Sequence, residues 1–230
     1  ISPEGLANKT QLPVIGDITV PDIPSLNIND IWKDDAQSPQ ITGLKSDLSS
    51  IRHEIETSFK GKVLAVTSLS AEDGKAFLAT GLAFAWVMTN RRVLIIDGNF
   101  SSPTISGQTS SKLYVEDFLK TESPLVTAAN SSSLTVIKNR GGDVSLMEIT
   151  TPEMIAQKLG IAKEMFDLII IETGDLKSNH SREWISFADG IIAIFNNGQN
   201  IGKQAKINVS YLKESGLFQG WILNNSNSAR

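Results

Sequence analysis

The sequence contains no cysteine and only two histidines among its 230 residues. The lack of thiols excludes a cysteine nucleophile, a cysteine-bound zinc ion and structural disulfides, and it suits a reducing compartment. The two histidines, His53 and His180, are too few for a histidine-rich metal site. Because the longest strongly apolar runs have the length of strands, we expect neither a membrane-spanning segment in this chain nor a signal peptide in its first residues.

The sequence also lacks a concentration of basic residues. Lysine and arginine number 21 against 25 aspartates and glutamates, which gives a formal net charge of -4. The electrostatic footprint that nucleic-acid binding requires is therefore missing, and we expect no nucleic-acid partner. A content of 40% hydrophobic and 20% charged residues is typical of a globular chain, long enough for one large domain or two small ones.

Short apolar runs alternate with helical patterns from residue 42 onward. Leu44, Leu48 and Ile51 recur at three- and four-residue spacing, which predicts an amphipathic helix. We predict helices at 42–59, 75–89, 113–120, 152–165 and 202–215, and strands at 63–67, 93–97, 134–137, 166–171, 190–195 and 220–223. Continuously apolar strands separated by helices predict a doubly wound α/β fold, with a mainly parallel sheet and helices on both faces.

Residues 1–40 differ in composition from the rest of the chain. They carry five of the eight prolines, with polar residues between short apolar groups. This composition predicts an extended arm that packs along the domain formed by residues 41–230.

Three loops follow strands at the carboxyl edge of the predicted sheet, where open parallel sheets bind their ligands: 68–75, 97–103 and 172–179. The first loop ends in Gly74-Lys75 at the start of a helix, as a phosphate-binding loop does. In such a loop, glycines let backbone N–H groups converge on phosphates, lysine neutralises them, and the next serine or threonine binds magnesium.

The first loop departs from the phosphate-binding motif. Leu69 stands at the position of the first glycine, and Ala76 replaces the hydroxyl residue that binds magnesium. The acidic pair Glu72 and Asp73 adds like charge where a polyphosphate would enter. Lys75 is therefore open to two interpretations, as an anion-binding residue or as a solvated lysine at an ordinary turn.

Four segments together carry a resemblance to a known family: TSLSAEDGKA (67–76), VLIIDGNFSSP (93–103), FDLIIIETGD (166–175) and GWILN (220–224). Their order and spacing resemble the cytoplasmic domain of bacterial tyrosine kinases of the polysaccharide copolymerase system, a branch of the MinD and ParA type of P-loop ATPases. The residues that match the loop signatures are Thr67, Ser68, Gly74, Lys75, Val93, Asp97, Pro103, Asp167 and Thr173.

The resemblance implies an organisation and a location. Residues 41–230 would form a P-loop NTPase-like domain, and residues 1–40 would be the linker that follows a membrane helix outside this chain. The domain would then lie at the cytoplasmic face of the bacterial inner membrane. Its partners would be proteins of polysaccharide synthesis and export, and other copies of its own subunit.

The resemblance also implies roles for the candidate site residues. Gly74 and Lys75 would bind nucleotide, Asp97 would help to activate the accepting hydroxyl, and Glu172 would hold magnesium. However, Asn99 and Ser101 replace an aspartate and an arginine of the family signature, and glutamate at position 172 extends the usual aspartate by a methylene. We therefore expect these site residues to be vestigial, with no bound metal because Ala76 lacks the hydroxyl, and no cofactor.

Three functions remain open from the sequence. The first is a catalytically inactive kinase-like domain in exopolysaccharide or capsule synthesis and export. The second is a divergent but active ATPase or protein-tyrosine kinase of the same family, which would use ATP and Mg²⁺. The third is a free-standing ATPase of the MinD or ParA type.

Overall fold

A computed structural model describes residues 1–20, 31–32, 38–120 and 132–225 of the chain. The strands are β1 (Val14–Ile18), β2 (Val63–Ser68), β3 (Val93–Asp97), β4 (Leu134–Ile137), β5 (Leu168–Asp175), β6 (Gly190–Asn196) and β7 (Phe218–Asn224). Within the described residues they form one sheet in the order β1-β7-β6-β2-β5-β3-β4, and every neighbouring pair is parallel. The predicted parallel α/β sheet is thus confirmed.

The helices are α1 (Pro3–Thr10), α2 (Pro39–Ser58), α3 (Lys75–Val87), α4 (Thr104–Gly107), α5 (Val115–Lys120), α6 (Leu146–Ile149), α7 (Pro152–Met165), α8 (Asn179–Ile185) and α9 (Lys203–Glu214). The five predicted helices are confirmed, with ends that shift by a few residues. The short helices α4, α6 and α8 were not predicted, because they are too short to show a hydrophobic period. In the part of the chain that the structure describes, no helix is both long and apolar enough to cross a membrane.

Alternate residues of the central strands face opposite layers of helices. In β2, Leu64 and Val66 pack into a core with α2 and α3. Val63 packs with α7, and Ala65 packs with α9 and α1 on the other face. Since both faces are covered, the strands need apolar residues at every position, which explains their continuous hydrophobic runs.

The prediction of an extended arm can be compared with the structure at the described residues of 1–40, and residues 21–30 and 33–37 lie outside them. The prediction was wrong for residues 3–10, which form α1: the Ser2 hydroxyl accepts a hydrogen bond from the Gly5 N–H at 3.1 Å, and Pro3 occupies the first turn. Proline is well tolerated there, so the proline content hid a helix start. The extended part is β1, which pairs with β7 and buries Ile18 in the core.

A buried isoleucine in the middle of the sheet tests this architecture. Ile170 lies in β5 between β2 and β3 and is fully buried. We expect Ile170→Ala to lower the free energy of unfolding by about 2–5 kcal/mol, because it removes buried methyl groups and leaves a cavity. Urea unfolding followed by circular dichroism measures the loss. The matched control is Ile207→Ala on α9, where the side chain is 49% exposed and the expected change is within about 0.5 kcal/mol; equal losses would contradict the described packing.

Candidate functional site

A cavity of about 430 Å³ lies at the carboxyl edge of the sheet, beside the start of α3. Its volume falls in the range of small-molecule sites. The residues that line it are Ala71, Glu72, Gly74, Lys75, Ala76, Phe77, Asn99, Ser102, Thr104, Gln108 and Glu172. Residues from the predicted loops 68–75 and 97–103 and Glu172 of β5 thus line the same cavity.

The loop between β2 and α3 turns at Gly74. This residue has φ of 96°, a left-handed conformation that glycine adopts without the strain of a β-carbon. Among the described residues, no side chain caps the N-terminus of α3, which begins at Lys75. Ala76 contributes a methyl group to the cavity wall where the motif would place a hydroxyl.

Lys75 is buried, with 3% of its surface exposed. Its ammonium donates hydrogen bonds to the Ala71 carbonyl oxygen at 2.6 Å, to Ser68 Oγ at 3.1 Å and to the Ser70 carbonyl oxygen at 3.3 Å. The solvated-lysine interpretation is therefore wrong. The charge of Lys75 is satisfied by three oxygens of its own loop.

The two acidic residues of the loop lie in different environments. Glu72 is exposed at the cavity wall, whereas Asp73 is 2% exposed. The Asp73 carboxylate accepts hydrogen bonds from the Ser70 N–H at 3.0 Å and from Gln199 Nε2 at 2.9 Å. Burial raises the pKa of Asp73, while the bonds from Gln199 and Ser70 and the nearby Lys75 charge oppose the rise. No pattern in the sequence indicated Gln199, because it lies far along the chain and belongs to no motif.

Asp97 and Glu172 lie side by side at the carboxyl edge of the sheet, the edge at which the sequence analysis placed their loops. The pairing of β3 with β5 sets them directly opposite each other, and both are buried. The backbone N–H and the hydroxyl of Ser106 in α4 donate to the same oxygen of Asp97, each at 2.7 Å. Burial raises the pKa of Asp97, against the hydrogen bonds from Ser106 and Asn99. Ser106 was missed at the sequence level, because α4 has no recognisable pattern.

Glu172 is the most strongly perturbed group of the site. Burial and the neighbouring Asp97 raise its pKa to about 8, although Lys75 and the hydrogen bonds from Gly174 and Asn99 oppose the rise. One carboxyl oxygen accepts the Gly174 N–H at 3.1 Å, and the other, Oε2, has no hydrogen-bond partner among the described residues. Its surroundings thus favour the protonated form of Glu172.

The residues present do not fit a magnesium ion. Both oxygens of Asp97 accept hydrogen bonds from the chain, from the Asn99 N–H and from Ser106, and one oxygen of Glu172 accepts the Gly174 N–H. Ala76 offers no oxygen. Across residues 1–20, 31–32, 38–120 and 132–225, no group of three acidic, histidine or cysteine side chains is placed to hold a metal ion.

Comparisons with known proteins show that solved structures have a similar fold. No protein-family model and no curated protein matches the sequence. The kinase domain of the Escherichia coli tyrosine kinase Etk matches with a TM-score of 0.79 and 18% identity, over 100% of this chain and 97% of that one. The fold is that of bacterial tyrosine-kinase domains.

Two further solved structures agree with this fold. The BceF tyrosine kinase domain matches with a TM-score of 0.75 and 18% identity, over 97% of this chain and 98% of that one. A chain of the MinC:MinD cell division protein complex of Aquifex aeolicus matches with a TM-score of 0.55 and 16% identity, over 71% and 67%. The P-loop NTPase-like fold is therefore confirmed, and activity must be argued from the site residues.

The raised pKa of Glu172 predicts a pH dependence of stability. Between its ordinary pKa of 4.5 and its native pKa of about 8, the folded chain holds a proton that the unfolded chain has released. The free energy of unfolding should therefore fall as pH rises through this window, by up to about 1.4 kcal/mol per pH unit from this group. Glu172→Gln cannot ionise, so its advantage over the native chain should grow to a few kcal/mol at about pH 8.

Urea unfolding between pH 4.5 and 8.5 measures this difference. The matched control is Glu153→Gln, which changes an exposed glutamate on α7 and should follow the native pH dependence. Parallel curves for Glu172→Gln and the native chain would show that Glu172 ionises normally.

Proposed function

We propose that this chain is a catalytically inactive kinase-like domain of a membrane-associated protein in exopolysaccharide or capsule synthesis and export. It acts at the cytoplasmic face of the bacterial inner membrane, by binding polysaccharide synthesis and export proteins and copies of its own subunit. The membrane attachment lies in a segment outside this chain. The observation that carries the proposal is the internal bonding of Lys75.

Phosphoryl transfer depends on positioned charges, and the loop lysine is one of them. Here the Lys75 ammonium is buried and bonded to Ala71, Ser68 and Ser70 of its own loop. Turning it towards a phosphate would break these three hydrogen bonds, although the Ser70 carbonyl oxygen would keep the Ser68 hydroxyl as a donor. The native arrangement therefore opposes the use of Lys75 on a nucleotide.

The magnesium-binding groups add to this argument. Ala76 provides no hydroxyl, and burial beside Asp97 raises the pKa of Glu172. An ATP–magnesium complex would therefore lack the hydroxyl ligand that the motif supplies during transfer. The proposal accordingly includes no cofactor, and Gly74, Lys75, Asp97 and Glu172 are vestigial site residues.

The assignment to polysaccharide export rests on the loop signatures and the linker-like N-terminus. The similarity to the Etk and BceF kinase domains over nearly the whole chain supports the kinase-like fold of the proposal. A domain that functions by binding other proteins needs an intact fold but not a functional nucleotide site. The MinC:MinD complex is an example of a protein of similar fold bound to a protein partner.

The second candidate function is a divergent, active ATPase or protein-tyrosine kinase. The cavity favours it, because about 430 Å³ of space lies against the N-terminus of α3. The positive end of a helix dipole attracts phosphate groups. In this alternative, Lys75 leaves its loop when ATP and Mg²⁺ bind, and polymer production depends on that lysine.

Substitution of Lys75 separates the two candidates. In the cell that produces this protein, we expect Lys75→Met to keep most of the polymer yield, because no phosphate is transferred. Deletion of residues 41–230 should abolish the yield or change the polymer length. Polymer is quantified by its sugar content and sized by gel filtration.

The controls concern folding and abundance. Lys112→Met changes an exposed lysine and should behave like the native chain. Thermal unfolding of the purified variant and immunoblotting show whether Lys75→Met is folded and present. A folded, abundant Lys75→Met protein with a yield as low as the deletion would contradict the proposed function.

A further inference from the structure

Glu172 leaves one buried oxygen without a partner in the wall of the cavity. The side chain lines the cavity and is only 1% exposed. Its Oε1 accepts hydrogen bonds from the Gly174 N–H at 3.1 Å and from Asn99 Nδ2 at 3.4 Å, whereas Oε2 has no partner among the described residues. A buried oxygen without a partner costs free energy, so a ligand that forms a hydrogen bond with Oε2 would stabilise this wall.

The rest of the wall combines uncharged polar groups with apolar surface. Ser102, Thr104 and Gln108 are exposed residues that follow β3, and the side chain of each can both donate and accept hydrogen bonds. Phe77 and Ala71 add apolar surface to the same wall. Sites for small molecules combine apolar surface with a few polar groups that fix the orientation of the ligand, and this wall has both.

The charged groups of the wall favour neither an anion nor a cation. The Lys75 ammonium is bonded to oxygens of its own loop, and the exposed Glu72 repels a phosphate that enters the cavity. A ligand amine would meet the positive charge of Lys75 in the same wall. An uncharged ligand therefore suits this cavity better than a phosphate or an amine.

Among uncharged ligands, a sugar has the groups that match this wall. A hydroxyl group both donates and accepts, so it can form a hydrogen bond with Glu172 Oε2 whether the carboxyl group is ionised or protonated. The remaining hydroxyl groups match the side chains of Ser102 and Gln108, and the C–H face of the ring matches the apolar surface of Phe77. Ligand and wall are thus complementary in both polar and apolar groups.

We propose that the cavity binds an uncharged sugar, with Glu172 Oε2 as the buried hydrogen-bond partner of one sugar hydroxyl group. The inference goes beyond the proposed function and rests on it in one respect, since the cavity must be free of nucleotide. In this site Glu172 recognises a ligand and needs no metal ion.

Saturation-transfer NMR and isothermal titration of the purified chain test the proposal. The probes are glucose, galactose and N-acetylglucosamine, each compared with a form of the same sugar that carries a carboxylate or a phosphate. We expect at least one neutral sugar to bind with a Kd in the millimolar range or below, and its charged form to bind about tenfold more weakly. No binding by any neutral sugar would mean that the cavity holds water alone, and equal binding by the charged form would contradict the charge argument.

Adenosine separates a free sugar from the sugar of a nucleoside, which also carries hydroxyl groups and no charge. Adenosine should bind more weakly than the preferred sugar. Binding by adenosine alone would overturn the assignment to a free sugar.

Two substitutions of Glu172 test the role of its unpartnered oxygen. Glu172→Leu keeps a similar size and removes both oxygens, so binding should weaken by about tenfold or more, whereas Glu172→Gln keeps an oxygen and should bind within about threefold of the native chain. Glu153→Leu, on the exposed side of α7, is the matched control and should bind like the native chain. A folded Glu172→Leu variant that binds the sugar as the native chain does would refute the role of Oε2.

A second variant serves if Glu172→Leu does not fold in thermal unfolding. Thr104→Trp places a large side chain at an exposed position of the cavity wall and should abolish sugar binding. Unchanged binding in this folded variant would show that the sugar binds elsewhere on the chain and would overturn the inference.

The outcomes that overturn the inference are distinct from those that overturn the proposed function. If the native chain binds neither sugar nor ATP, the sugar site is refuted and the proposed function stands. Micromolar binding of ATP that depends on magnesium would refute the proposed function, whatever the result with the sugars.

Discussion

The parallel pairing of β3 with β5 is the constraint on which the candidate site depends. It sets Asp97 directly opposite Glu172 at the carboxyl edge, where the helix layers bury both side chains. Burial and the charge of Asp97 raise the pKa of Glu172, because like charges in a dry site oppose each other's ionisation. The fold therefore favours the protonated form of Glu172.

The loop before α3 also contains buried charged groups, and atoms of the chain itself stabilise them. Lys75 is a buried cation whose partners are loop oxygens, and Asp73 is a buried anion whose partners are Ser70 and Gln199. In an active nucleotide site, the bound phosphates would supply part of this charge balance. Here the chain supplies it, so the loop keeps its shape without a ligand.

Much of this structure follows from the sequence, because the signals were local. The apolar run at 166–171 predicted β5, and the loops predicted after β3 and β5 placed Asp97 and Glu172 at the same edge of the sheet. The contact between Asp73 and Gln199 joins residues 126 positions apart, and the chain carries no motif that links them. The burial of Lys75 could not be predicted either, since it depends on where three loop oxygens point. The missed helix α1 had a recognisable cap at Ser2, which the proline content obscured.

The central claim is that Lys75 is hydrogen-bonded to oxygens of its own loop and that the loop therefore binds no nucleotide. Isothermal titration of the purified chain with ATP and with ADP, each with and without magnesium, tests it most directly. The account predicts no binding at millimolar nucleotide in any of the four titrations. Micromolar affinity that depends on magnesium would contradict it, because that result requires Lys75 to leave its loop and Glu172 or Asp97 to serve a bound ion.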